Sequence, residues 1–164
     1  MRETVLAAFK GRWEHINAMT TSFAECVPAD KWNDSPGQGF APFGKQLRHV
    51  VCVRGVYNDG LRSKKIDFSR KHHHYSGSLD RDELLAALAA KHDDLLVLLD
   101  ELPPDIEARD IDFFGMQQSP IDYLYVYIQH EAIHHGQWSL YAAHGGYATP
   151  QLWRMQWGLG SGSV

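Results

Sequence analysis

The chain has 164 residues, enough for one domain with a sizeable core, and its 44% hydrophobic and 22% charged content is that of an ordinary globular protein. A net charge of -4 excludes the basic face a nucleic-acid binder needs, and no apolar run approaches the roughly 20 residues that span a bilayer. Two cysteines, Cys26 and Cys52, are too few for a disulfide framework, which points to the cytoplasm and leaves ten histidines as the anomaly to explain.

Residues 2–25 read as a helix, with Leu6, Phe9, Trp13, Ile16, Thr20 and Phe23 at three- and four-residue steps. Lys10, Arg12 and Glu14 interrupt any signal-peptide apolar region there. Residues 43–62 read as a second helix, buried through Leu47, Val50, Val51, Val53, Val56, Tyr57 and Leu61. Its β-branched residues make a strand over 50–53 conceivable, but the length and the flanking Lys45, Arg48 and Arg54 favour the helix. Asp80-Arg81-Asp82-Glu83 is a capping-box pattern. It opens a third helix carrying Leu84, Leu85, Leu88, Leu95, Leu96 and Leu99, and Pro103-Pro104 stops it.

The fourth helix opens with Ser119 as cap, Pro120 at the first position and Asp122 in the first turn, and runs to about Ala143 before Gly145-Gly146. A short C-terminal helix follows Thr149-Pro150 with Leu152, Trp153 and Trp157. Residues 1–157 form the domain and 158–164 a flexible tail. The three connections are each about 15 residues, where plain bundles use 2–8. Such lengths suit a crossed bundle in which loops 28–42 and 103–118 shape a pocket. Trp32, Phe40, Phe113 and Phe114 are expected to fold back from those loops onto the helices.

The fourth helix contains His130-Glu131-Ala132-Ile133-His134-His135-Gly136-Gln137. At 100° per residue, His134 lies about 40° from His130, and Tyr123, Gln137 and Tyr141 lie within about 20°. Two imidazoles on one face can hold one metal ion. His135 stands about 140° away and is a poor co-ligand, and Glu131 about 100° away points past the ion towards a structural role. H-E-x-x-H also spells a zinc-protease signature. Its extended form requires a glycine where Gln137 stands and a histidine where Leu140 stands, and no Asp, Glu or Cys follows Glu131. The third ligand therefore lies upstream. His72-His73-His74 reads as a solvated loop and His15 as exposed. On periodicity, His49 of the second helix and His92 of the third both remain open. Cys52, one turn after His49, reads as core filler, with a fourth-ligand role as the alternative.

The chain resembles the DinB-like (damage-inducible protein B) proteins. The likeness rests on Leu47-Arg48-His49, on the helix-four run from His130 to Gln137, and on Phe113-Phe114-Gly115 ahead of it. It covers nearly the whole chain and implies an all-α, up-down-down-up four-helix bundle, frequently a homodimer. It also implies a metal site of His49, His130 and His134 that takes zinc, nickel or a related divalent ion. Gly136 departs from many relatives, in which arginine is common after the histidine pair, so the resemblance does not carry over an anion contact at this position. Characterised relatives include thiol-dependent S-transferases and isomerases that use bacillithiol or mycothiol.

Three neutral imidazoles leave coordination positions open, as catalytic sites do. An open divalent ion holds a thiol as thiolate or lowers the pKa of bound water. The expected activity is transfer of a small-molecule thiol onto small electrophiles. A metal-dependent hydrolase using metal-bound hydroxide and a non-catalytic metal-binding stress-response protein are the alternatives. Cys52, Tyr127, Gln137 and Tyr141 are the nearest candidates to line the substrate pocket.

Overall fold

The computed structural model describes residues 2–102 and 109–158. Among them, four long helices carry the architecture: α1 (Arg2–Cys26), α2 (Phe43–Ser63), α3 (Arg81–Glu101) and α4 (Pro120–Gly145). A short α5 (Gln151–Trp157) follows. The helix starts obey local chemistry. Asp80 accepts from the backbone N–H of Asp82 and Glu83 at the head of α3, and Ser119 accepts from Asp122 N–H at the head of α4. The Glu83 carboxylate reaches back to Ser78 instead of closing a box on Asp80. Gly146, at φ 69°, ends α4 in the left-handed conformation that glycine adopts freely. Residues 50–53 lie within α2, so the strand alternative falls. The Pro103-Pro104 stop and the tail beyond Gly158 lie outside the described residues.

Two apolar clusters fill the interior. One joins Met19 and Phe23 of α1, Leu47 and Val51 of α2, Leu84 and Leu88 of α3, and Trp138 and Tyr141 of α4. The other joins Phe9, Trp13 and Ile16 of α1, Val53 and Val56 of α2, Leu95 and Leu99 of α3, and Tyr123 and Tyr127 of α4. Helices α2 and α3 run from the first cluster to the second, and α1 and α4 run from the second to the first. The main contacts set α2 against α3 and α4, and α1 against the same two helices. Trp153 of α5 closes the first cluster, fully buried, with its indole N–H on Met19 O at 2.8 Å.

The connections contain structure that periodicity does not signal. Residues Phe68–His74 form a 3-10 helix laid along α2, where Gly55 leaves room for the His74 ring. Strands β1 (Ile111–Phe113) and β2 (Met116–Gln118) form an antiparallel hairpin. Phe113 faces Met116 across a two-residue turn, Phe114-Gly115, both at positive φ (55° and 85°). That is the backbone of a type I′ hairpin turn. Asp112 ties the hairpin to the end of α2, its N–H donating to Lys64 O and its carbonyl accepting from Ile66 N–H, each at 2.9 Å. Trp32 is buried and Phe40 and Phe113 pack against the clusters, but Phe114 does not fold onto the helices. It is 67% exposed and stacks on Phe68 with ring centroids 5.5 Å apart, because its turn position directs it away from the bundle.

Candidate metal centre

His49 on α2 and His130 and His134 on α4 turn their rings towards one another midway along the bundle. His130 Nε2 lies 3.2 Å from His49 Nε2 and 3.2 Å from His134 Nε2. All three ligand atoms fall within 4.8 Å of one another, and this is the one such group of three among the described residues. Two nitrogens bound tetrahedrally at about 2.0–2.1 Å from one ion would stand about 3.3–3.4 Å apart. The observed spacing is therefore close to that of a shared ion.

The electrostatics suit a cation. Burial, His134 and the Lys71 charge hold the His49 pKa down to about 4. Burial and His134 hold that of His130 at about 3, against a partly offsetting pull from Glu131. Burial lowers His134 too, against the opposing influence of Glu131 and Gln137. All three rings are thus neutral at pH 7, the form in which imidazole ligates. Gln137 stands beside His134. Even so, His134 Nδ1 and Gln137 Oε1 each lack a well-aligned hydrogen-bond partner. A bond between a ligating histidine's second ring nitrogen and a neighbouring polar group is how such a ring is usually oriented. Lys71 Nζ lies 3.2 Å from His49 Nδ1. An ammonium can only donate, so this contact leaves the His49 ring proton on Nε2. Ligation through Nε2 requires Lys71 to release Nδ1.

Among the described residues, the other histidines do not join this group. His92, on the buried side of α3, accepts the Trp13 indole N–H on Nδ1 at 2.9 Å. His15 is half-buried, not exposed, because Gln156 of α5 bonds its Nε2 at 2.9 Å. His72 and His73 are exposed, and His74 Nε2 approaches Asp59 Oδ2 at 3.5 Å. His135 is buried and contacts Thr20 Oγ1 through Nε2 at 2.8 Å. Of the expected pocket residues, Gln137 adjoins the trio and the other three bond elsewhere. The Cys52 thiol points to Tyr75 O at 3.7 Å, and burial pushes its pKa up against the pull of Lys71, Arg48 and Lys91. Tyr127 donates to Asn58 Oδ1 at 2.9 Å. Tyr141 donates to Ala41 O.

One buried residue escapes the periodicity reading. Arg54, which the sequence marks only as a charge flanking the apolar arc of the second helix, is fully buried. Its Nε and Nη2 grip Glu131 Oε1 and Oε2 at 2.9 and 3.0 Å. Burial alone would raise the Glu131 pKa; the Arg54 charge and hydrogen bonds from Arg54 and Thr20 outweigh it and hold the carboxyl at about 2. Glu131 is thereby engaged by Arg54 and Thr20. The available signal was chemical: an arginine among valines requires a buried acid, and helix four carries one.

Similarity to known proteins agrees with this architecture. The family model for the DinB superfamily matches residues 12–138. No curated protein matches the chain. Among solved structures, a DinB-like protein from Bacillus subtilis is similar, with a TM-score of 0.69 and 15% identity, over 88% of this chain and 97% of that one.

Proposed function

The chain belongs to the DinB superfamily, and from that premise we propose that His49, His130 and His134 hold one divalent ion, zinc or nickel, through Nε2. The convergence of three neutral imidazoles, with two 3.2 Å nitrogen approaches, carries this reading. When bound, the ion supplies Lewis acidity that keeps a thiol deprotonated at neutral pH. The protein's part is to present the three rings, keep them unprotonated by burial, and leave coordination positions free. The reaction we assign is transfer of a low-molecular-weight thiol onto a small electrophile, within a domain spanning residues 1–157. Its support is the open donor set together with the family likeness.

Elemental analysis tests the ligand set. His49→Ala, His130→Ala and His134→Ala should each reduce bound metal at least tenfold, and His92→Ala should retain it. Full metal in His49→Ala would sink the assignment. For the reaction, metal-loaded protein should conjugate a thiol to monochlorobimane and lose that activity on chelation. Failure with bacillithiol, mycothiol, glutathione and cysteine would reject the transferase reading. Chelator-sensitive ester cleavage would favour the hydrolase.

We further propose a cytoplasmic homodimer. Its location rests on the two unpaired cysteines, and among the described residues no helix is long and apolar enough to cross a membrane. Its surface is a groove between α1 and α4 lined by Val5, Ala8, Phe9, Ile121, Tyr125 and Ile128. Leu124 also lines this groove but is 2% exposed and belongs to the core, whereas Tyr125 is 59% exposed. Light scattering should give twice the chain mass, and Tyr125→Glu should halve it; a monomeric wild type would remove the proposal.

A further inference from the structure

The three-histidine site lies level with a polar layer that separates the two apolar clusters. Arg54 and Glu131, 0% and 1% exposed, form its centre. Arg54 also donates through Nη1 to Asn17 Oδ1 at 2.7 Å and towards Leu88 O at 3.4 Å, with its guanidinium carbon 4.7 Å from the centre of the Trp13 ring. Thr20 donates to Glu131 Oε2 at 2.6 Å. That uses its single proton, so His135 Nε2–H must donate to Thr20. One ion pair thus engages α1, α2, α3 and α4 at a single height.

An apolar pair of similar volume would stabilise a helical core as well or better, because burying two charges costs desolvation that their attraction only repays. Apolar surfaces also tolerate repacking and lose uniqueness before stability. A bidentate fork tolerates neither a slide nor a rotation of one helix on the other. Glu131 immediately follows the ligand His130, and Arg54 lies five residues beyond the ligand His49. Ligand atoms must sit within about 0.2 Å of their proper distances to hold an ion well.

We propose that the Arg54–Glu131 pair is the positioning element of the metal site, setting α2 against α4 so that His49 meets the two histidines of α4. The inference rests on the reading of the trio as metal ligands. Neither residue touches the ion; both act through His49 and His130. The fork, more than the charge, performs the alignment, so lysine cannot replace Arg54.

Cobalt(II) tests it, because its visible absorption reports ligand geometry separately from fold stability. Wild type should bind one cobalt ion. Arg54→Met/Glu131→Leu should retain a cooperative unfolding transition, bind cobalt at least tenfold more weakly by chelator competition, and show displaced visible bands. Arg54→Lys should show the same displacement, and it carries the test if the double variant does not fold. Leu95→Ala, which opens a cavity in the second apolar cluster, should keep wild-type affinity and bands despite lower stability. Folded double or lysine variants with affinity within twofold of wild type and unchanged bands would overturn the proposal, as would an equal loss in Leu95→Ala. A wild type that binds no cobalt would overturn the metal reading itself and this inference with it.

Discussion

Protonation decides whether buried histidines attract a cation or repel it. In the metal-free protein, His130 and His135 have pKa values held at about 3 and 4, while the unfolded chain would protonate them near 6.5. Between pH 6.5 and 4.5 the unfolded state therefore binds protons that the folded state refuses, and stability falls as pH falls. Each such histidine contributes a slope of about 1.4 kcal/mol per pH unit. Glu131 acts in a lower window. Its stabilisation is complete above pH 4.5 and is lost as pH falls towards about 2. Urea unfolding in chelator at pH 7.5, 6.5, 5.5 and 4.5 should show a level stretch and then a decline. His130→Gln should flatten the decline, and a level profile down to pH 4.5 would contradict the neutral-ring account. The i, i+4 pair was legible because both residues lie on one helix. The choice between His49 and His92 was not, because the Trp13 indole that engages His92 lies 79 residues away in sequence. The burial of Arg54 is illegible for a related reason: helical periodicity reports which face is buried, and it cannot tell a buried cation from a solvated one without its acid.

The four long helices follow from stripe and cap, and their starts match the chain's own signals at Asp80 and Ser119. The hairpin and the 3-10 helix do not, since three-residue strands are too short for a period and depend on docking to α2. Glycine inside α2 shows how packing overrides helical preference. In an exposed helix, Gly→Ala stabilises by about 0.5–1 kcal/mol. Gly11 of α1, with open space where a Cβ would go, should behave so. A Cβ at Gly60 of α2 would overlap the Tyr123 hydroxyl, which is held by Tyr57 O at 2.9 Å on a ring 1% exposed. The tyrosine has no room to retreat, and overpacking costs typically about 1–3 kcal/mol. Gly60→Ala should therefore lower stability by about 1–2 kcal/mol, net of the helical gain, while Gly11→Ala raises it. Denaturant midpoints moving in the same direction for both variants would show that α2 and α4 are less tightly apposed at this level.

At the scale of the molecule, each of the four long helices of this all-α fold contributes to both apolar clusters. A polar layer in the middle of such a bundle weakens the interior unless every group in it is paired. The ion pair satisfies most of the layer, yet His134 Nδ1 and His135 Nδ1 remain without partners. The three converging imidazoles are a second weak point, because neutral rings bring their lone pairs together with few protons to share. A divalent ion would relieve that crowding and clasp α2 to α4 beside the Arg54–Glu131 fork. A ligand that binds only the folded state at about 100 times its Kd adds about 2.7 kcal/mol. For a domain of this size, about 1 kcal/mol shifts the unfolding temperature by about 2–4 °C. Saturating zinc should therefore raise the melting temperature by about 5–10 °C in calorimetry. His49→Ala should abolish the rise, because the remaining pair sits wholly on α4 and cannot clasp α2. An equal rise in His49→Ala would mean that the ion stabilises one helix alone, and the clasp would have to be abandoned.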